Sequence, residues 1–189
     1  MILASASPRR RQLLSDAGYT FTVVEPGINE SAFPTEGITA RQYAETLALA
    51  KARSVAPLYP DHLVIGADTV ADFDGEIIGK PKDARDAERI TSKLFSAPHE
   101  VVTGLAIIRL CDGIELVESD TTTVYPKPMT AGQIAEHIEG STWRGKAGAY
   151  AIQETGDAFV ERIEGSLTNV MGLPMERLQS LMAEMIHYQ

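Results

Sequence analysis

Apolar positions along this chain switch between strand-like and helix-like spacing, and the switches mark its elements. Ile2 to Ala4 is a short apolar run that reads as a buried strand. Ser7 can cap a helix whose first residue is Pro8, where a missing N–H costs nothing. That helix runs to about Ala17, with Gly18 as its stop. Thr20 to Val24 alternate with a period of two and predict a strand. Residues 26–38 hold Pro26, Gly27, Pro34 and Gly37 and read as a loop of functional length. Thr39-Ala40-Arg41-Gln42 is a capping box. The helix behind it places Tyr43, Leu47 and Ala50 on one face and ends before Pro57.

Leu63 to Val70 is an apolar strand interrupted by Gly66 and Asp68. Asp74-Gly75 is a type I′ hairpin signal between Val70–Phe73 and Glu76–Ile78. Asp83 starts a helix carrying Ala87, Ile90 and Leu94 inward. Val101–Leu110 and Ile114–Val124 read as a long hairpin around Asp112-Gly113. A second capping box, Thr130 to Gln133, leads to Ile134 and Ile138. Strands are expected near Ala149–Ile152 and Ala158–Ile163. A last helix from Pro174 should bury Leu178, Leu181, Met182 and Met185. Interleaved strands and helices with hairpins in the middle predict an α/β protein with a mixed sheet.

Composition narrows this picture. The 189 residues, 44% of them apolar, suit one compact domain over 1–189, or one with two lobes. A net charge of −9 repels nucleic acid polymers, yet leaves room for a small anionic ligand where positive groups cluster. Cys111 is the only cysteine, so no internal disulfide forms, which fits a reducing compartment. It flanks the Asp112-Gly113 turn with no electropositive neighbour to activate it. Met1 to Ser5 lack the charged and long apolar stretches of a secretory leader, and no run approaches membrane-spanning length. A cytoplasmic protein with no membrane partner is expected.

Several constellations could carry chemistry. Ser5-Ala6-Ser7-Pro8-Arg9-Arg10-Arg11 lies where a strand turns into a helix, so free N–H groups, hydroxyls and guanidinium groups could face a phosphate. The bland alternative is a capped surface helix with a solvated basic face. Asp68 interrupts an apolar strand, and a carboxylate there is costly unless paired. Gly66 and Ala67 beside it leave room for a ligand to approach the backbone. Glu30 lies in the Gly- and Pro-bounded loop; if paired in space with Asp68 it could hold Mg²⁺. Lys51, behind Ala48-Leu49-Ala50, and Lys80, in Gly79-Lys80-Pro81, read first as solvated lysines on residue type alone. Gly145-Lys146-Ala147-Gly148-Ala149-Tyr150-Ala151-Ile152-Gln153 is rich in small residues that admit a flat ring, and Gln153 could bond a base edge. Its structural counterpart is a tightly packed strand ending in an edge Gln. Ile163-Glu164-Gly165-Ser166 and Asn169 to Pro174 read as a turn feeding the last helix. The four histidines show no metal-ligand spacing, and no Gly-x-Ser-x-Gly or Gly-x-Gly-x-x-Gly is present.

Taken in order, these segments resemble the Maf family of nucleoside triphosphate pyrophosphatases. The matching pieces are Leu3 to Arg10, Gly66 to Val70, Asp74-Gly75 through Gly79-Lys80-Pro81, Gly145 to Gln153, and Gly172-Leu173-Pro174. The resemblance implies an elongated α/β fold with a mixed sheet, two lobes and a central cleft. It further implies a cytoplasmic homodimer and a divalent cation, Mg²⁺ or Mn²⁺. Thr69 and Gln153 are similar to the branch acting on dTTP and UTP. By position, Asp68 matches the family's proton acceptor, and Arg9, Thr69 and Gln153 its specificity positions. Ser7, Arg10, Glu30, Lys51 and Lys80 match residues lining the phosphate and metal site. The implied catalytic set is Asp68, Glu30 and Lys80, with Glu30 and Asp68 as metal ligands. Asn29 replaces a frequent Asp, Ser96-Ala97-Pro98 a common Ser-Gly turn, and Glu154-Thr155-Gly156-Asp157 a more glycine-rich run. The expected reaction releases pyrophosphate from dTTP and UTP. The alternatives are a pyrophosphatase for non-canonical or 7-methylguanine nucleotides and a non-enzymatic, nucleotide-binding regulator of cell division.

Overall fold

Strand alternation and helix capping organise the molecule around one mixed sheet. The computed structural model describes residues 1–150 and 159–187. β1 (Ile2–Ala4) leads into α1 (Pro8–Asp16), β2 (Thr22–Val24) and α2 (Ala40–Val55). β3 (Val64–Phe73), β4 (Glu76–Ile78), α3 (Ala84–Leu94), β5 (His99–Arg109) and β6 (Ile114–Pro126) follow. The chain continues with α4 (Ala131–Glu139), β7 (Val160–Glu164), α5 (Leu167–Met171) and α6 (Met175–His187). Among the described residues the sheet has seven strands in the order β2-β1-β3-β5-β6-β7, with β4 paired to β3. β1 runs parallel to β2 and β3, and the remaining pairs are antiparallel. The mixed α/β sheet expected from the sequence is present.

Most local signals appear where the sequence puts them. Ser7 caps α1 with Pro8 in its first turn. Thr39–Gln42 and Thr130–Gln133 form complete capping boxes. The β3–β4 turn has Asp74 and Gly75 at φ 53° and 83°, which fits a two-residue I′ loop. Three details differ. The buried face of α2 is Ala40, Ala44, Leu47, Ala48, Lys51, Ala52 and Val55, and Tyr43 and Ala50 only flank it. Ala147–Ala149, expected to lead into a strand, is a 3₁₀ turn with Gly148 at φ 70°. Residues 151 and 152 of that expected strand lie outside the described residues. The turn expected before the last helix contains α5, whose N-cap Ser166 accepts from the Asn169 N–H.

The central strands are buried on both faces. Along β3 and β5, Val64, Ala106 and Ile108 pack beneath α2, while Ile65, Ala67, Leu105 and Ile107 pack with Leu14 of α1 and Leu178 of α6. Another core lies further along β3, where Ala71 and Ile78 meet Ala87, Ile90 and Leu94 of α3, Trp143 and Tyr150. Asp68 and Thr69 fall on β3 between these cores.

α2 lies against the sheet at two glycines. A Cβ on Gly66 would sit 2.2 Å from the Ala48 carbonyl oxygen, and one on Gly104 2.2 Å from the Ala44 carbonyl oxygen. The space at Gly66, which the sequence reading assigns to a ligand, is therefore filled by helix backbone. The alanines of α2 allow this approach, and Lys51 on the same face is carried to β3.

Candidate active site

A cleft of ≈ 510 Å³ opens between the two cores. Its lining includes Arg9, Arg10, Lys51, Lys80, Arg144 and Lys146, against the carboxylates Glu25, Glu30 and Asp68. In a chain of net charge −9 this is a local excess of positive charge. The N-terminus of α1 adds its dipole, since Ser5, Ala6 and Ser7 line the same cleft.

One wall is an ion cluster. Lys51 Nζ lies 2.6 Å from Asp68 Oδ1 and 2.7 Å from Glu30 Oε1, and Lys80 Nζ lies 2.8 Å from Glu30 Oε2. The sequence places Glu30, Lys51, Asp68 and Lys80 far apart, and the fold brings them together. Lys51 is not the solvated lysine its residue type predicts: it is 4% exposed and Asp68 is 5% exposed. Burial tends to raise the Glu30 carboxyl, but hydrogen bonds from Lys51 and Lys80 outweigh it and hold the group at about 2. Asn29 acts locally, its Oδ1 accepting from the Ser31 N–H and hydroxyl and so capping the 3₁₀ turn that begins at Glu30.

The opposite face of β3 carries a hydrogen-bonded network. Arg10 donates from Nε to the Gly172 carbonyl at 2.6 Å, from Nη1 to Ser5 Oγ at 3.3 Å, and from Nη2 to Thr69 Oγ1 at 3.0 Å. Arg10 is therefore a buried clamp joining α1, β3 and the end of α5, rather than part of a solvated basic face. Burial pulls its guanidinium below the ordinary value; Asp68 opposes this, Arg9 adds to it, and Glu30 opposes it. Ser7 lines the cleft, but its Oγ is turned to the Arg10 N–H at 3.5 Å. Arg9 lines the cleft beside it.

The far wall is the turn after Trp143. Arg144, Gly145, Lys146, Ala147 and Tyr150 face the cleft. The Gly148 N–H donates to the Gly79 carbonyl at 3.1 Å, which ties this turn to the segment bearing Lys80. A Cβ at Gly148 would meet Leu94 Cδ1 at 3.0 Å, and its φ is +70°, so the position favours glycine on both counts. The Tyr150 hydroxyl is 2.9 Å from His99 Nε2. Burial pushes Tyr150 up and His99 down, so both stay neutral near pH 7. Nothing in the residue pattern marks Arg144 or gives Lys146 a role. The only signal available for them is their place beside the small-residue run. Gln153 lies outside the described residues.

The donor set is compatible with a hard divalent cation. Glu30 and Asp68 offer carboxylate oxygens that converge on one point, now held by Lys51. Among the described residues no group of three or more His, Cys, Asp or Glu is arranged to hold a metal. A protein cage is thus absent there, whereas Mg²⁺ is commonly held by one or two carboxylates together with substrate phosphates.

A cleft with a cationic lining, a capped helix N-terminus and a buried lysine–carboxylate cluster defines a site for a small anion handled beside acid–base groups. Residues 1–185 match the family described as Maf-like protein, and the chain belongs to that family. It is 47% identical over 175 residues to a dTTP/UTP pyrophosphatase of Citrifermentans bemidjiense, covering 93% of this chain and 90% of the relative. A dTTP/UTP pyrophosphatase of Ruminiclostridium cellulolyticum is 38% identical over 185 residues, covering 98% and 95%. Among solved structures, the Staphylococcus aureus Ham1 protein aligns with a TM-score of 0.46 and 16% identity over 66% of this chain and 70% of that one. That likeness is too slight to bear on fold or activity. Among the described residues no helix is long and apolar enough to cross a membrane.

Proposed function

We propose that the protein hydrolyses dTTP and UTP to the monophosphate and pyrophosphate by attack of water on the α-phosphorus. The observation that carries this reading is the Glu30–Lys51–Asp68–Lys80 cluster at the edge of a cation-lined cleft, in a chain whose relatives bear that name. Asp68 orients the water and takes its proton as the new P–O bond forms. The bond to the β-phosphate bridging oxygen breaks, and pyrophosphate leaves with the added charge. Lys80, Arg9 and Lys51 stabilise that charge. Arg10, with three of its N–H groups committed inside the protein, contributes a fixed positive charge and holds Thr69 in place. Ser7 presents the α1 N-terminus to the phosphates. Thr69 and Gln153 read the pyrimidine. Glu30 and Asp68 would hold Mg²⁺ or Mn²⁺, which supplies charge neutralisation and a more acidic water when bound. A cytoplasmic homodimer completes the reading, on the strength of the family resemblance.

Pyrophosphate release from dTTP, UTP, CTP, GTP, ITP and 7-methyl-GTP, with Mg²⁺, with Mn²⁺ and with EDTA, tests it. Metal-dependent release favouring dTTP and UTP is expected. Preference for another base overturns the specificity, and no release by folded protein overturns the reaction.

A further inference from the structure

Thr69 lines the cleft, but its hydroxyl already belongs to a chain of hydrogen bonds. Arg10 Nη2 donates to Thr69 Oγ1 at 3.0 Å. The Thr69 and Thr103 hydroxyl oxygens lie 2.9 Å apart. Thr103 Oγ1 in turn donates to the Asn169 carbonyl at 2.9 Å. A carbonyl can only accept, so the single Thr103 proton points at Asn169. Thr103 then accepts from Thr69, and the Thr69 proton is used as well. Thr69 has two lone pairs and Arg10 occupies one. What remains for a ligand is one acceptor and no donor. Thr103 is 0% exposed, so it has no water to turn to instead.

The chain can be reversed. Thr103 would turn its proton to Thr69, and Thr69 would be free to donate into the cleft. The Asn169 carbonyl would then keep only the Gly172 N–H, 3.0 Å away. Reversal loses one hydrogen bond, so the acceptor orientation is the favoured one.

We propose that Thr103 is a positioning residue that fixes Thr69 as a hydrogen-bond acceptor, so that the cleft prefers bases presenting a ring N–H to it. The inference rests on the pyrimidine triphosphate reading above and deepens it. Uracil and thymine carry a proton on N3, whereas cytosine presents a lone pair there. A cytosine N3 facing Thr69 leaves two acceptors opposed or forces the reversal. Either outcome costs about one net hydrogen bond, which corresponds to a discrimination of several-fold, up to about tenfold. Asn169 is also 0% exposed, and its Nδ2 donates to the Val101 carbonyl at 2.9 Å and to Thr122 Oγ1 at 3.0 Å. These two bonds tie the residue that carries the last acceptor of the chain to β5 and β6.

The test compares UTP with CTP, which share a sugar and differ at the N3 and C4 edge. Steady-state pyrophosphate release and calorimetric affinity are measured for the wild type, Thr103→Val and Thr103→Ser. Valine keeps the volume but removes the acceptor, so the Thr69 proton turns to the cleft. The UTP-to-CTP preference should fall several-fold, up to about tenfold, through a lower KM and tighter binding of CTP. Serine keeps the hydroxyl and should restore the wild-type ratio. An unchanged ratio in folded Thr103→Val, or an equally relaxed Thr103→Ser, overturns the inference. If the valine variant does not fold, Thr103→Ala is read in the same way. Wild-type protein that binds UTP over CTP but releases no pyrophosphate sinks the reaction alone, because the affinity ratio still reports on Thr103.

Discussion

Asp68 and Thr69 are consecutive residues, and the alternation of β3 sends their side chains to opposite faces. The two faces are built differently. Beneath α2 the polar groups are charged and share partners: Lys51 serves both Asp68 and Glu30, and Lys80 also holds Glu30. The members nearest solvent, Glu30 and Lys80, have side chains 37% and 50% exposed. Toward α1 and α5 the network is a buried chain of hydrogen bonds, running from Arg10 through Thr69 and Thr103 to a wholly buried Asn169, whose Oδ1 has no partner among the described residues. An ion cluster with exposed members can exchange a lysine for a phosphate or a cation at modest cost. A buried chain of hydrogen bonds cannot change partners without leaving a further polar group unsatisfied. The charged face therefore suits the chemical step, and the hydrogen-bonded face suits placing the ligand.

Substitutions on each face sharpen this contrast. The largest effect is expected from Lys51→Met, which leaves buried Asp68 without its cation. Breaking a buried pair in this way costs about 3–5 kcal/mol, read as a lower midpoint in urea unfolding. Next is Asp68→Asn, which should still bind dTTP but turn over at least ~10²-fold more slowly, the usual contribution of a general base. Near-normal turnover would remove Asp68 from the mechanism. On the hydrogen-bonded face, Asn169→Ala strips the donors from the Val101 carbonyl and Thr122 and should cost about 1–3 kcal/mol in the same unfolding experiment. A smaller loss would mean that this face is less tightly built than the bond pattern indicates.

The smallest effect concerns acid. Glu30 is held at about 2, below its ordinary value of 4.5, so its charged form favours the folded state. That contribution is fully present above about pH 4.5 and disappears as pH falls toward 2. Because Glu30 is partly exposed and screened, it amounts to about 1 kcal/mol or less at neutral pH. Glu30→Gln should be slightly less stable than the wild type at pH 7, and the gap should close between pH 4.5 and 2. A gap independent of pH would show that the lysines do not hold Glu30 as described.

Local features are legible in the sequence, and those that depend on distance are hidden. The capping boxes, the Asp74-Gly75 hairpin and the Pro8 helix start rest on residues within a few positions of one another, and each has a local physical cause. Asp68 stands out because a carboxylate in an apolar strand needs a partner. The partner itself, Lys51, does not, because nothing in Ala48-Leu49-Ala50-Lys51 shows that this helix lies against Gly66 and Gly104. Gly66 is legible as a place of close approach, but not which backbone approaches. Thr103, in Val101-Val102-Thr103-Gly104-Leu105, carries the same signal as Asp68: a polar residue inside an apolar strand. Asn169 has no such mark, since its burial depends on α5 packing over β5 and β6. The family resemblance supplies the grouping of Glu30, Lys51, Asp68 and Lys80 that residue-level reasoning cannot.

Every role proposed for the charged face depends on water attacking the α-phosphorus. Hydrolysis of dTTP in ¹⁸O-labelled water, with the products resolved by mass spectrometry, tests this most directly. One labelled oxygen in dTMP and none in pyrophosphate is the expected result. Label in pyrophosphate, or release of inorganic phosphate with dTDP, would place the attack at another phosphorus and contradict the proposed roles.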